Sequence, residues 1–161
     1  MTFFLGIDSG LRNTGWGIIK KDGTKLTYIT SGVIKTKADN QQDIYKSDAL
    51  ALKKIYDMIS NVIMQYQPSR SAIENTYINS NPLSSIKLAQ ARAVAILACS
   101  MHNMIPREYQ ASTIKKVVTG KGNADKIEVN KMITLQLGHI KTETSDESDA
   151  IATAICDALS N

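Results

Sequence analysis

The chain opens on an unbroken apolar run, Thr2-Phe3-Phe4-Leu5-Gly6-Ile7, that stops on a carboxylate, Asp8. A run with no polar alternation reads as a buried strand, so other elements have to cover it. It is not a secretory signal, because no basic segment precedes it and a charge arrives at once. Ser9-Gly10-Leu11-Arg12-Asn13 is a turn, residues 14–19 resume as strand, Lys21-Asp22-Gly23 turns again, and residues 25–35 alternate as a third strand. The start is therefore an antiparallel meander.

The hydrophobic period then changes. Ile55, Met58, Ile59, Val62, Ile63 and Tyr66 recur at helical spacing inside a helix expected over 44–67, which Pro68 stops. Residues 71–74 are a short apolar strand with Glu74 near its far end. A second helix is expected over 84–102. Its centre, 91–99, carries only Arg92 as a charge, so it is expected to be buried on more than one side, in the domain or against another subunit. A fifth strand at 105–108, a short helix at 112–118, a basic loop at 119–123, and helices at 125–137 and 146–159 complete the order. This order predicts an α/β protein with a five-stranded mixed sheet flanked by helices. At 161 residues the chain is expected to be one domain with a core large enough to need no disulfide or metal staple.

Hydrophobic residues make up 43% and charged residues 21%, which excludes wholesale disorder and fibrous repeats. Lysine and arginine exceed aspartate and glutamate by 19 to 15, and this excess leans toward an anionic partner such as nucleic acid. Cys99 and Cys156 lie far apart in Ala-rich runs without zinc spacing, and read as buried thiols of a reducing compartment. The longest apolar run, 93–99, is too short to span a bilayer, so the expected location is the cytoplasm with no membrane partner.

Four carboxylates stand out by placement. Asp8 ends the first strand, Glu74 interrupts a core-like segment, and Asp146 and Asp149 are three apart at the start of the last helix, on one face. Each has a plain structural reading. A strand-end Asp is often a turn residue, and Asp146 could serve only as a helix cap. Glu74 would need a neutralising neighbour, with Arg70 and Lys87 the nearest in sequence. The chemical reading takes the four together. Magnesium takes oxygen ligands, and two such ions about 4 Å apart activate water and stabilise the leaving oxygen of a phosphodiester. Clustered carboxylates without metal repel one another and raise one another's pKa values.

Several segments carry a family resemblance. Gly6-Ile7-Asp8-Ser9-Gly10-Leu11-Arg12-Asn13-Thr14-Gly15-Trp16-Gly17 resembles the opening motif of the RuvC family of Holliday-junction resolvases. Ala72-Ile73-Glu74-Asn75-Thr76-Tyr77 resembles its second motif, and Leu88-Ala89-Gln90-Ala91-Arg92-Ala93-Val94-Ala95 its interface helix. Glu108-Tyr109, Lys115-Lys116-Val117-Val118-Thr119-Gly120 and Asp146-Glu147-Ser148-Asp149-Ala150 follow in the family's order. The resemblance covers nearly the whole chain and implies an RNase H-like fold, a homodimer, and paired magnesium- or manganese-dependent nicks across four-way junctions, with other branched DNA as a further candidate substrate.

Carried over by position, the resemblance makes Asp8, Glu74, Asp146 and Asp149 the metal ligands, with two ions per site. It makes Lys126 a contact near the scissile phosphate, Lys115 a second basic DNA contact, and Tyr77 the aromatic that stacks on opened bases. Lys116 and Lys121 are further candidate DNA contacts. The face around Ala89, Arg92 and Ile96 is the candidate dimer contact. Two features depart from the family. Ser9 stands where proline is usual, and the sequence stops at Asn161 without the basic tail of many cellular members, which leaves docking to a branch-migration motor in doubt. The short form resembles phage-borne relatives, which would place the enzyme in a bacterial host cell.

Three other readings are weighed against this one. A related RNase H-like nuclease acting on structured RNA shares the opening turn. The phosphate-binding hairpin of actin-like ATPases resembles residues 6–15 but needs two lobes, for which the chain is too short. A junction-binding module would bind branched DNA and never nick it. The histidines, His102 and His139, sit in no motif, so metal-activated water rather than a side chain is the expected nucleophile.

Overall fold

The computed structural model describes residues 1–36, 44–76, 81–140 and 142–160. Tyr77 lies outside them, as does the predicted loop start at Ser80. The elements are β1 (Thr2–Asp8), β2 (Asn13–Asp22), β3 (Lys25–Lys35), α1 (Ile44–Tyr66), β4 (Arg70–Glu74), α2 (Pro82–Met101), β5 (Arg107–Tyr109), α3 (Ala111–Thr119), α4 (Lys126–Leu137) and α5 (Ser145–Leu159). The five strands form one sheet in the order β3-β2-β1-β4-β5, antiparallel across β1, β2 and β3 and parallel across β1, β4 and β5. The expected five-stranded mixed sheet is present, with the fifth strand two residues later than predicted.

The opening run is buried because β1 is the central strand. Leu5 and Ile7 point to one face, where they meet Ile55 and Ile59 of α1 and Ala91, Ala95 and Cys99 of α2. Phe4 points to the other, toward Ile114, Val129 and the α5 residues Ile151 and Ile155. Burying each such Ile or Leu is worth about 1.5–3 kcal/mol, so the two faces together fix which side of β1 each residue occupies.

Helix ends follow local chemistry. Asn81 accepts the N–H groups of Leu83 and Ser84 to start α2, two residues before the predicted start. Asp125 and Glu128 form a reciprocal capping box at α4. Gly120, at φ 83°, closes α3 in the left-handed conformation that glycine adopts without strain.

Within one subunit, α2 is covered on one side. Ala91, Ala95, Ala98 and Cys99 are buried, while Leu83 (70%), Ile86 (54%), Leu97 (51%) and Met101 (63%) stand exposed. By length and composition α2 is apolar enough to cross a bilayer, and it packs along α1. Arg92 pairs with Glu108 of β5, and Ile96 leans on its own subunit's core. The exposed stripe therefore lies one step around the helix from the predicted Ala89, Arg92 and Ile96 face.

Candidate active site

The four acids approach one another because glycines thin the sheet under α5. Strand residues alternate sides, so Gly6 and Asp8 share the α5 face with Phe4. In the β1–β2 ladder Gly6 stands opposite Gly17 and Asp8 opposite Gly15. A Cβ on Gly6 would lie 2.0 Å from the Ala150 carbonyl oxygen, and one on Gly15 2.0 Å from the Asp146 carbonyl oxygen. The α5 backbone thus rests directly on the bare ladder, and its first turn reaches the end of β1. The parallel pairs Gly6–Ala72 and Ile7–Ile73 leave Glu74 beside Asp8, one step further along neighbouring strands.

Other residues take several of the plain structural roles weighed for these acids. Thr144, not Asp146, caps α5, its hydroxyl accepting the Glu147 N–H at 3.3 Å. The turn after Asp8 is held by Thr14, whose hydroxyl donates to the Gly10 carbonyl at 2.7 Å. The two cations nearest to Glu74 in sequence pair elsewhere. Arg70 grips Asp157 through Nε at 3.1 Å and Nη2 at 2.7 Å, and Lys87 lies 3.1 Å from Asp48.

The electrostatics follow from this placement. Burial pushes the Asp8 carboxyl up to about 7, assisted by the negative charges of Asp149, Glu74 and Asp146 and opposed by Lys126. Glu74 is also raised, by burial and then by Asp149, while Lys115 and Lys126 pull it back. Lys126, the first residue of α4, places Nζ 3.4 Å from Asp149 Oδ2. Glu74, Asp149, Lys115 and Lys126 line one cavity of about 220 Å³ whose floor includes Ile114, Val129 and Ala152. As the side chains stand, no three acidic, histidine or cysteine groups among the described residues are gathered closely enough to hold an ion. The acids are neighbours by charge, short of a closed ligand cage.

The remaining candidates divide. Lys115 and Lys126 belong to the cavity. Lys116 is exposed in the last turn of α3 and outside the cavity lining. Lys121 is 3.0 Å from Glu128 Oε1, so its charge is partly spent on the α4 cap. His102 ends α2 and His139 is exposed. Both cysteines are buried, with thiols pushed up to about 11 by desolvation.

Two buried acids were missed by the sequence reading. Asp157, 1% exposed, receives Arg70, the Tyr109 hydroxyl at 2.8 Å, and Arg107 at 3.6 Å. It bolts the end of α5 to β4 and β5. Glu147, 7% exposed, faces β3. The signal for Asp157 was available: a charge inside an apolar helix run, the same logic that flagged Asp8.

Residues 4–157 match the sequence model of the family described as "Crossover junction endodeoxyribonuclease RuvC". A protein of that description from Teredinibacter turnerae is 41% identical over 162 residues, covering 99% of this chain and 89% of the relative. One from Methylobacillus flagellatus is 43% identical over 159 residues, covering 98% of this chain and 88% of the relative. Among solved structures, "T. thermophilus RuvC in complex with Holliday junction substrate" superposes with a TM-score of 0.88 at 22% identity, covering 99% of this chain and 94% of that one. The architecture is the RNase H-like fold of these resolvases. On the sequence match over nearly its whole length, this chain belongs to the RuvC family of crossover junction endodeoxyribonucleases.

Proposed function

We propose that this chain is a metal-dependent endodeoxyribonuclease that resolves four-way DNA junctions by paired hydrolytic nicks. The observation that carries the reading is the cleft lined by Glu74 of β4, Asp149 of α5, Lys115 and Lys126, with Asp8 of β1 close enough to feel the charges of Asp149, Glu74 and Asp146. Family membership supports the reaction class, and the Thermus relative named as bound to a Holliday junction supports the substrate class.

The donor set fits a hard divalent cation. It is all oxygen, and burial, followed by the negative charges of Asp149, Glu74 and Asp146, pushes Asp8 up to about 7, a cost that bound positive charge offsets. Asp8, Glu74, Asp146 and Asp149 would hold magnesium or manganese, two ions per site. Such ions, when bound, polarise the phosphodiester and lower the pKa of an attacking water. The chain's own groups do the rest. Lys115 and Lys126 neutralise phosphate oxygens, and the apolar floor at Ile114 and Val129 lowers the local dielectric and strengthens those contacts. Among the described residues lining the cleft there is no histidine or thiol to compete as a nucleophile.

The whole chain acts as one nuclease unit, in the bacterial cytoplasm where branched DNA arises. A homodimer supplies two sites related by a two-fold axis, as coordinated nicks require. The exposed α2 stripe of Leu83, Ile86, Leu97 and Met101 is the surface that supports it. Tyr77 is assigned to base stacking at the crossover, and Lys116 and Lys121 to weaker phosphate contacts.

A synthetic four-way junction incubated with and without magnesium tests the reading on a denaturing gel. Symmetric nicks that need the metal are expected. Cleavage of structured RNA in preference to the junction would favour an RNA-directed nuclease, and tight binding without nicks would leave a binding module.

A further inference from the structure

Glu147 is the carboxylate of the 146–149 run that the cleft does not use. Successive helix residues turn by about 100°, so Asp146 and Asp149 share a face and Glu147 points away from it. Its side chain is buried, at 7% exposure. Among the described residues it has no basic partner. Oε2 instead accepts the Glu143 N–H at 3.0 Å and lies 3.5 Å from the Ser31 hydroxyl of β3, which is 3.0 Å from the Tyr28 hydroxyl.

Two further contacts fold the 142–144 segment back onto the same turn. The Glu147 N–H reaches the Thr144 hydroxyl at 3.3 Å, and the hydroxyls of Thr142 and Ser148 are 3.0 Å apart. The first turn of α5 is therefore held on two sides. Gly15 lets the Asp146 carbonyl rest on β2, and Glu147 ties the turn to β3 and to the segment that leads into it. Stability alone does not explain this choice, because a buried carboxylate without a cation costs more than an apolar side chain of similar size.

We infer that Glu147 is a positioning residue for the proposed metal site. It sets the rotation of the first α5 turn so that Asp146 and Asp149 face Asp8 and Glu74. The inference rests on the nuclease reading above and names a residue that works through the ligands without touching the ion. Supporting groups of this kind affect metal affinity by about 10–100-fold when removed.

The test compares Glu147→Ala, Glu147→Gln and Ser31→Ala with the parent. The magnesium concentration giving half-maximal junction nicking is read alongside the rise in melting temperature that magnesium or manganese causes without DNA. Glu147→Ala should raise the half-saturating magnesium about tenfold and shrink the metal-induced rise in melting temperature. Glu147→Gln, which keeps an acceptor for the Glu143 N–H, should restore most of both, and Ser31→Ala should fall between. Junction binding in EDTA should match the parent in all three.

Parent-like metal dependence in Glu147→Ala would overturn the inference. So would a loss of stability in Glu147→Ala that Gln repairs while metal affinity stays low. If the parent itself never nicks, the nuclease reading fails, and the metal-induced melting shift still decides the role of Glu147.

Discussion

Replacing Asp8 with asparagine should make the metal-free protein more stable while abolishing its proposed chemistry. The Asp8 carboxyl titrates at about 7 in the folded chain against an ordinary value of 3.8. The folded state therefore holds this proton more tightly than the unfolded chain. Asp8 contributes stability in full below about 3.8, and that contribution is lost as the pH rises through about 7. A rise from 3.8 to about 7, at about 1.4 kcal/mol for each tenfold step in proton affinity, bounds the cost of the ionised form at about 4 kcal/mol. The amide that replaces it must still be desolvated, which returns part of the gain. A net stabilisation of about 2 kcal/mol at pH 8.5 follows, or about 4–8 °C in melting temperature for a chain of this size.

The assay is thermal melting of parent and Asp8→Asn in EDTA at pH 4.5 and 8.5, repeated with 10-fold steps of magnesium. The gain should be present at pH 8.5 and nearly absent at pH 4.5. Added magnesium should raise the parent's melting temperature and move the variant's much less, so that the two curves close. Binding to a four-way junction should survive the substitution and nicking should not. A variant less stable than the parent at pH 8.5 in EDTA would refute the argument that burial and neighbouring charge oppose ionisation of Asp8, and undiminished nicking would remove Asp8 from the site. The trade is the familiar one in which a functional cluster lowers the stability of the fold that carries it.

Other expectations rest on different contacts. Gly15→Ala places a methyl 2.0 Å from the Asp146 carbonyl oxygen, so α5 must lift from the sheet. A loss of about 1–3 kcal/mol in urea denaturation together with lost nicking is expected, and a parent-like midpoint would show that the helix does not sit on the ladder. Asp157→Ala leaves Arg70 and the Tyr109 hydroxyl without their acceptor. About 2–4 kcal/mol should be lost, less than for a fully buried pair because the Arg70 side chain is 32% exposed. Leu97→Glu puts a charge in the exposed α2 stripe and should shift the protein from dimer to monomer in light scattering, while a surviving dimer would place the interface elsewhere. Lys126→Gln removes the cation that lies 3.4 Å from Asp149, and should slow nicking at saturating magnesium with little change in melting temperature, as expected for an ion pair this exposed.

Much of the architecture was legible because hydrophobic period is a local property. The apolar run at β1, the alternation of β3 and the helical spacing through 55–66 each declare their element and the side it buries. The acids were legible for the same reason: Asp8, Glu74 and Asp157 are charges set into otherwise apolar segments, although only the first two were read that way. What no local pattern contains is distance. The first turn of α5 comes near the end of β1 because Gly6, Gly15 and Gly17 remove the side chains that would hold the helix off the sheet, and parallel pairing of β1 with β4 brings Glu74 alongside Asp8. The same tertiary contacts decided which plain alternatives failed. Thr144 took the cap that Asp146 might have filled, Arg70 went to Asp157 instead of Glu74, and Arg92 turned inward to Glu108. Each of these is a competition between partners remote in sequence, settled by packing and by the high cost of burying a charge alone.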